Sequence, residues 1–576
     1  MKRSSSSACL LIFLLQWLCS FLPGVVHAQP FVSVDHHLPN LAFGSLSMGD
    51  YDNDGDLDAS LVGVSSGSVK IGSVYLNDGS GSFQTGPSIP AVSPGQVCWA
   101  DYDRDGDLDL LVSGMGDNAG TQVEVTRLLR NDNGVLTDSG IALPALSANA
   151  LAFADFDNDG DLDLLMGGPS NGVSVTYLLW NQGNQFVQSG LTLPGILRGA
   201  TIAPADCDND GDMDLLLAPV QFNDPGLAEF GTLVLLNKGD GTFENRRVTI
   251  DAKAGITAAW HDFDLNGRLD LTAAGNFKWT VALYDSLFNT WRGSQFASID
   301  EAQVAAGDYD RDGRPDIVVM GKSVGLNVPA TILGRNVGIR VDGLDLNYPN
   351  VGLVGAWLGT LAFADVDGDA DLDIAQIGVD SSGQRITKIY RNNLAGSFSL
   401  PAVPDQLSHV VAGSSATLSW QGTGGATTFN VLIGTTPGGV NIVTPMANVT
   451  TGRRRLAALG NAAQARSFLI QGLSPGRYYW SVQSIDAAFN GSTFAPEREF
   501  TIGDNPQDIR LSIRLDVTQN LLFLTLTGTA GRRVVPQRSI DLQDWQDVGS
   551  PVNTDQELSF PRPAESRVFF RARVAP

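Results

Sequence analysis

The 576-residue chain carries 62 acidic against 37 basic residues, a formal net charge of -25, together with 64 glycines and 27 prolines. This length exceeds a single core and predicts three or more domains, and the acidity argues against nucleic acid or anionic lipid as a partner. Abundant turn formers without long helical periodicity predict an all-β protein built from short strands.

Residues 1–28 come first: Met1, Lys2 and Arg3, then the apolar run CLLIFLLQWLCSFL, then VVHA before Gln29. A basic start, an apolar stretch and a small-residue cleavage pattern predict a signal peptide, and hence a secreted protein, extracellular or associated with the cell surface. A membrane anchor is the competing reading; Pro23–Gly24 and the tripeptide ending at Ala28 favour cleavage, and Leu18 before Cys19 makes a poor lipoprotein box. No later segment approaches the roughly 18 apolar residues of a membrane helix, so the mature chain is expected to have no transmembrane segment. Cleavage removes Cys9 and Cys19, and the remaining pair, Cys98 and Cys207, is no disulfide scaffold. Stability must then come from packing and metal.

From Asp50 onward one nine-residue motif recurs seven times, its copies 46 to 57 residues apart, and together they hold about half of the acidic residues. The copies are DYDNDGDLD, DYDRDGDLD, DFDNDGDLD, DCDNDGDMD, DFDLNGRLD, DYDRDGRPD and DVDGDADLD, starting at Asp50, Asp101, Asp155, Asp206, Asp262, Asp308 and Asp365. A period of that size marks stacked supersecondary units. Before each motif a short stretch alternates small residues (Gly49, Ala100, Ala154, Ala205, Gly307, Ala364, with His261 in the fifth) with mostly bulky ones such as Trp99, Phe153 and Trp260. With a period of two, that places small side chains on a crowded inner face and bulky ones between neighbouring sheets. After each motif, runs such as LDLLVSG and PDIVVMG are apolar on both faces, as in a strand sandwiched between sheets. Turn signals follow, as in LNDGSGSF from Leu76, WNQGNQF from Trp180 and LNKGDGTF from Leu236. Four strands per unit and seven units predict a seven-bladed β-propeller over 29–400. A parallel solenoid explains the small-bulky alternation less well and would need capping ends. FVSV at Phe31 has the pattern of an outer strand and is placed to complete the last blade and close the ring.

Crowded carboxylates repel by about 1 kcal/mol per pair at 4 Å even in a water-like dielectric, so the motif requires a cation. Positions 1, 3, 5 and 9 offer side-chain oxygens, position 7 a backbone carbonyl, and Gly at position 6 the sharp turn, a hard-oxygen set that suits Ca²⁺ better than Mg²⁺. The candidate ligands are Asp50, Asp52, Asp54, Asp56 and Asp58; Asp101, Asp103, Asp105, Asp107 and Asp109; Asp155, Asp157, Asp159, Asp161 and Asp163; and Asp206, Asp208, Asp210, Asp212 and Asp214. The last three loops add Asp262, Asp264, Asn266, Arg268 and Asp270; Asp308, Asp310, Asp312, Arg314 and Asp316; and Asp365, Asp367, Asp369, Asp371 and Asp373. An EF-hand would need an acid at position 12, where this chain has Leu61, Val112, Met166, Leu217, Ala273, Val319 and Gln376. A dockerin pair fails on the same ground and on its shorter period. A charged surface turn without metal is the alternative for any one loop; seven in register with core strands favour up to seven structural calcium ions.

With these residues laid out, residues 31–400 resemble the FG-GAP or VCBS repeat family, the calcium-loop propellers of integrin α-subunits and many secreted bacterial proteins. The resemblance implies calcium in the loops of one rim and partners on other loops. Asn266 at position 5 and Ala370 at position 6 depart from the pattern, so occupancy is expected to be lowest in the fifth and seventh loops.

Beyond the Pro401 and Pro404 linker, alternating stretches around Trp420, Thr427–Pro437, Leu469–Asp486 and Arg498–Ile502 predict a β-sandwich over 401–503. Leu473, Pro475 and Gly476 leading into Tyr478, Tyr479 and Trp480, together with Trp420, resemble a fibronectin type III domain, with these aromatics as core. The only basic run, Arg453–Arg455, reads as a solvated loop. Residues 504–576 form a small β-rich module similar to C-terminal modules of secreted bacterial proteins, either a separate sandwich or an export and attachment tag.

No nucleophile elbow, zinc-binding or phosphate-loop pattern occurs. Of the four histidines past the signal (His36, His37, His261 and His409), His261 beside the fifth loop reads as a packed neutral side chain. The chain is therefore expected to be an extracellular binding or adhesion protein for a carbohydrate or protein ligand, with no catalytic residues. The ligand would bind opposite the calcium rim, on long loops from Ala218 and Asp342, the latter carrying Tyr348 and Trp357. A calcium-dependent polysaccharide lyase or a non-binding spacer are the rival readings.

Overall fold

Each acidic motif sits in the turn between two paired strands, because an apolar run on either side finds its partner across the loop. The computed structural model describes residues 30–574 apart from 148–149, 222–229, 240, 249–256, 276–277, 286–289, 341–342, 395–398, 423–427, 504–509, 517–520, 528–532, 542, 549–551, 554–555 and 562–567. The signal-peptide reading of 1–28 and most of the loop from Ala218 fall outside the described residues. No helix occurs among them, and none is long and apolar enough to cross a membrane.

After β1 (Phe31–Val34), the first sheet contains β2–β5 (Leu41–Gly49, Asp58–Ser65, Lys70–Asn77, Phe83–Ser88). The next two contain β6–β9 (Gly95–Ala100, Asp109–Asn118, Thr121–Asn131, Leu136–Asp138) and β10–β13 (Ala150–Ala154, Asp163–Ser170, Val173–Asn181, Phe186–Gln188). The fourth and fifth contain β14–β17 (Ile196–Ala205, Asp214–Gln221, Phe230–Asn237, Phe243–Val248) and β18–β21 (Thr257–His261, Asp270–Gly275, Lys278–Asp285, Thr290–Gln295). The sixth contains β22–β25 (Ile299–Gly307, Asp316–Ser323, Pro329–Arg340, Gly343–Asn347). The last contains β26–β28 (Leu361–Ala364, Asp373–Val379, Arg385–Asn392), with β1 as its fourth strand. Among the described residues 31–392 there are thus seven four-stranded antiparallel sheets in succession. The first strands touch in the order β2, β6, β10, β14, β18, β22, β26 and back to β2, a β-propeller-like arrangement.

Packing between sheets follows the alternation read from the sequence. Trp99, Trp260 and Phe363 are buried; on the other face the small residue next to the motif is buried as well, as at Ala100, Ala205 and Ala364, whereas the one two positions earlier is half-buried at Cys98, Ala259 and Ala362. The second strand of each sheet is buried on both faces. Tyr51, Val62, Trp99, Leu110 and Leu129 join the first two sheets, and Leu41, Met48, Ala364 and Ile377 join the last to the first. Each such side chain contributes about 1.5–3 kcal/mol on burial. Cys98 and Cys207 are free thiols, and Cys207 is buried with its Sγ 3.0 Å from Asp214 Oδ2.

β1 pairs antiparallel with β28, from Phe31 opposite Asn392 to Val34 opposite Ile389, so the start and end of the repeat region share one sheet. His36 locks this seam: Nε2 lies 3.0 Å from the Thr387 carbonyl, and Leu38 N–H donates to Nδ1 at 3.0 Å. Burial, the largest influence, and Lys388 lower its pKa, against the Thr387 carbonyl and Asp35. The folded protein thus keeps this ring neutral while the unfolded chain protonates near 6.5, so stability is full above about 6.5 and declines as pH falls toward the lower folded value. We expect the melting temperature of the calcium-loaded protein to fall more steeply between pH 7 and 5 in the native chain than in His36→Ala, measured by scanning calorimetry.

The described residues up to 500 form one compact unit except for 411–415 and 472–476, so the repeat sheets and the following module belong together. That module has two three-stranded sheets: β29, β30 and β32 (Asp405–Ala412, Ser415–Gln421, Ser467–Ile470), and β31, β33 and β34 (Thr428–Gly434, Gly476–Ile485, Arg498–Ile502). Trp420, Tyr478 and Trp480 are core residues, as expected, whereas Tyr479, also expected in the core, is half-buried because it alternates to the other face of its strand. A second unit comprises 411–415, 472–476 and 501–576; it contains a three-stranded sheet, β35, β36 and β40 (Arg510–Asp516, Leu521–Thr527, Gln556–Pro561). Its other sheet is built on β37 (Arg533–Ser539), which pairs with β38 (Gln546–Asp547), β39 (Val552–Asn553) and β41 (Phe569–Val574).

Candidate cation-binding rim

The seven acidic loops fold alike because their own carboxylates satisfy their own amides. The position-1 Asp accepts the position-6 N–H in every loop, as in Gly106 to Asp101 at 3.2 Å and Ala370 to Asp365 at 3.0 Å. The position-5 side chain accepts the position-7 N–H, including Arg268 to Asn266 at 2.9 Å. The position-9 Asp spans two strands: one oxygen takes the position-2 N–H and the other an N–H at the end of the third strand, as Tyr102 and Asn131 do on Asp109 at 3.1 and 2.8 Å. The turn requires left-handed backbone at positions 4 and 6, with φ of 60° at Arg104 and 97° at Gly106. In the seventh loop Gly368 occupies position 4 (φ 75°), while Ala370 adopts φ 69° at position 6, a strained conformation for a residue with a Cβ.

Ligand oxygens converge within 4.8 Å of one another for Asp50, Asp52 and Asp58; Asp101, Asp103 and Asp109; Asp155, Asp157 and Asp163; Asp206, Asp208 and Asp210; and Asp262, Asp264 and Asp270, with two further such groups. Position-5 residues are exposed in all seven loops and stand at the outer edge. The position-7 side chains are not drawn into the clusters; most link one loop to the next. Asn53 donates to Asp107 and Asn158 to Asp212, both at 2.6 Å, while Arg104 pairs with Asp161 and Arg311 with Asp371. Arg268 points back to the Asp208 carbonyl, and Arg314 pairs with Asp312 within its own loop. For position 7 the expected ligand is the backbone carbonyl, which these links leave in place.

These residues fit a hard cation. Asp101 is fully buried and its Oδ1 has no hydrogen-bond partner; the position-3 oxygens Asp103, Asp157, Asp310 and Asp367 Oδ1 are likewise buried without one. Arginines neutralise only the other oxygen of that group: Arg130 on Asp103 at 3.0 Å, Arg391 on Asp367 at 2.6 Å, and Arg335 on Asp310. A buried carboxylate oxygen facing other carboxylates is costly unless a cation sits among them. Desolvation first, and neighbouring acids as well, push Asp109, Asp163 and Asp316 up to about 9 and Asp270 and Asp373 up to about 8. A cation bound among them would let such groups stay ionised together near neutrality.

One set of residues at the rim escaped the sequence reading. Asn77, Asn131, Asn181, Asn237 and Asn392, which end their third strands, and Asn336, which lies within β24, are buried, although Asn77, Asn181 and Asn237 stand in stretches read as turn signals. Each side-chain amide donates to the position-8 carbonyl of its own loop and to the position-2 carbonyl of the preceding sheet's loop, as Asn131 does to Leu108 and Tyr51 at 3.1 and 2.9 Å. The series closes on itself where Asn77 reaches the Val366 carbonyl of the seventh loop at 2.8 Å. In the fifth sheet Tyr284 replaces the asparagine, its ring 5.0 Å from the Arg268 guanidinium. The signal was the recurrence of an asparagine at a similar distance from the motif, 18 to 23 residues after the position-9 Asp in six of the seven units.

The module formed by β29–β34 lies over this rim. Asp50 N–H donates to the Arg455 carbonyl at 3.0 Å, Gln471 N–H to Asn158 O at 2.7 Å, and Asp308 N–H to Ala487 O at 2.9 Å. Thr444 Oγ1 donates to Asp101 Oδ2 at 2.7 Å, Gln464 Nε2 to Asp262 Oδ2 at 3.0 Å, and Asn490 to Ala370 O at 3.1 Å. The Arg453–Arg455 run is therefore not a solvated loop. Arg453 pairs with Asp56 at 3.5 Å, Arg455 donates to the Gly106 carbonyl, and buried Arg454 donates to Pro445 O at 2.7 Å. Opposite charge draws Arg453 and Arg455 onto the rim. His261 is packed between Phe263 and Phe489 with ring centroids 6.0 Å away, and burial pushes its pKa down to about 4, the neutral packed histidine expected. Of the two aromatics expected as ligand contacts, Tyr348 packs against Trp279, and Trp357 is half-buried with Lys322 4.7 Å above its ring.

The class these features define is an all-β protein with FG-GAP-like repeats: the FG-GAP-like repeat family model matches residues 50–112 and 155–217, the first four acidic loops. A 113-residue stretch, 18% of the chain, is 31% identical to integrin alpha-PS2 of Drosophila melanogaster and spans 8% of that protein's length. Among solved structures, similarity extends to an Agrocybe aegerita lectin that recognises non-reducing terminal N-acetylglucosamine (17% identity, 56% of this chain and 80% of that one, TM-score 0.33). It also extends to the extracellular domain of a B. thetaiotaomicron protein designated a one component system (10% identity, 82% of this chain and 59% of that one, TM-score 0.36). At these scores the two likenesses bear on neither ligand nor activity.

Proposed function

We propose that the protein is a secreted, calcium-stabilised seven-bladed β-propeller of the FG-GAP/VCBS type, followed by a fibronectin type III-like module and a small C-terminal β module. Its role is extracellular binding or adhesion, without catalysis. The observation that carries the calcium reading is the set of buried position-3 carboxylate oxygens without donors, repeated in register. Calcium accepts six to eight oxygens in flexible geometry, which suits a carboxylate cage with a backbone carbonyl better than the strict octahedron of Mg²⁺. The ions hold the fold.

Since the second module lies over the acidic loops, the opposite end of the propeller is the ligand face. Exposed Val69, Val324, Leu326 and Val328 lie in turns joining second to third strands at that end, and exposed Val173 opens the third strand just after such a turn, which supports this placement. Arrays of glycans and extracellular proteins probed in calcium test the role. A ligand lost in the Leu326→Asp, Val328→Asp double variant, with an unchanged melting temperature, is the expected result. Steady turnover of acidic polysaccharides, or binding unaffected by these substitutions, argues against it.

A further inference from the structure

We propose that the second module completes the cation sites of the rim, Gln464 adding an amide oxygen to the fifth loop and Thr444 fixing the Asp101 carboxylate of the second. Ion binding and module seating are then one coupled equilibrium. This rests on the calcium reading above.

The fifth loop has the poorest set of its own, with Asn266 and Arg268 where most loops carry Asp. It is also the loop in which a side chain from the other module reaches a position-1 acid with an amide. Gln464 Nε2 lies 3.0 Å from Asp262 Oδ2, and its Oε1 is buried with no hydrogen-bond partner. Amide oxygen and nitrogen exchange places on a half-turn of the terminal bond, so the same side-chain position presents either a donor to a bare carboxylate or an oxygen to a cation beside it. The amide is neutral, which lets it join the cage without adding repulsion. In the second loop Thr444 is buried and its hydroxyl holds Asp101 Oδ2 at 2.7 Å. The other Asp101 oxygen, fully buried and without a donor, is thereby fixed toward the cluster of Asp103 and Asp109. Backbone bonds from the module to Asp50, Asn158 and Asp308 tie the same surface to three more loops. A cation drawing in Asp262 and Gln464 joins residues 202 apart in the chain and in different modules. Linkage then requires that calcium tighten the seating by the factor by which seating tightens calcium.

Calcium titration calorimetry and hydrogen exchange of the full chain test this, with Asp264→Asn marking the fifth site. We expect Asp264→Asn to abolish one binding event and Gln464→Leu to weaken that same event at least ~5-fold, the low end of usual coupling. Gln464→Asn, which keeps the amide on a shorter stem, should fall between, and guards against a folding defect in the Leu variant. Thr444→Val should weaken a different event. In the native chain, amides of 456–466 should exchange at least ~10-fold faster in chelator than in calcium, while β33 stays equally protected. If Asp264→Asn removes an event that Gln464→Leu leaves untouched, or if exchange at 456–466 ignores calcium, the inference is overturned while the calcium reading stands. If all variants and the native chain bind no calcium, both fall.

Discussion

Removing calcium with a chelator is expected to lower the melting temperature by at least ~10 °C and to broaden the transition. At a free calcium concentration of 100 times Kd, each filled loop adds about 2.7 kcal/mol to stability, so even three filled loops contribute about 8 kcal/mol. That is of the order of the whole stability of a typical domain. Opposing it in the chelated chain are the buried carboxylates, held together by the backbone bonds to Asp58, Asp109, Asp163 and their equivalents. The arginines on Asp103, Asp310 and Asp367 soften that repulsion in the second, sixth and seventh loops. Among the described ion pairs no arginine sits on Asp52 of the first loop or Asp157 of the third, so their sheets should lose amide protection before those of the second, sixth and seventh loops in hydrogen exchange. Magnesium at equal concentration should restore much less of the loss than calcium.

Replacing Asn392 by Ala is expected to cost about 3–5 kcal/mol, whereas the same change at its neighbour Asn393 should cost less than about 0.5 kcal/mol. The two asparagines are adjacent and alike in composition but opposite in environment. Asn392 is 1% exposed, and its amide donates to the Tyr309 carbonyl at 2.8 Å and the Leu372 carbonyl at 3.3 Å while its oxygen accepts from Leu394 N–H at 3.2 Å. Truncation leaves three backbone groups wanting partners at the joint between the sixth and seventh sheets. Asn393 is exposed, and its side-chain amide donates to the Arg391 carbonyl two residues away, while its backbone N–H, which the substitution keeps, donates to the Pro30 carbonyl. Chemical denaturation of both variants in saturating calcium measures the difference, and comparable losses would mean that the asparagine series does not staple the sheets.

Much of this architecture is legible in the residues because the repeat states it seven times. The acidic loops, the doubly apolar strands after them and the small-bulky alternation before them each follow from local chemistry that any copy displays. FVSV at Phe31 resembled an outer strand, and β1 pairs with β28 as that pattern implied. Less legible was what depends on partners remote in the chain. Asn77 and Asn237 looked like turn residues because the turn follows them; only the fold reveals that the amide crosses to the neighbouring sheet. Arg453–Arg455 looked solvated because a basic run usually is, and nothing nearby in sequence announces the acidic surface it meets. Thr444 and Gln464 carry no motif at all; their positions are set by how two modules pack. Repetition exposes what each unit does for itself and hides what single residues do between units.

The most direct test of the account is the calcium content of the purified chain after exhaustive dialysis against calcium buffer, measured by inductively coupled plasma mass spectrometry against protein concentration. The loops as built predict five or more ions per chain, and no more than seven, with Asp103→Ala and Asp157→Ala each removing one. A chain that carries no stoichiometric calcium, and whose melting temperature ignores chelation, would contradict it.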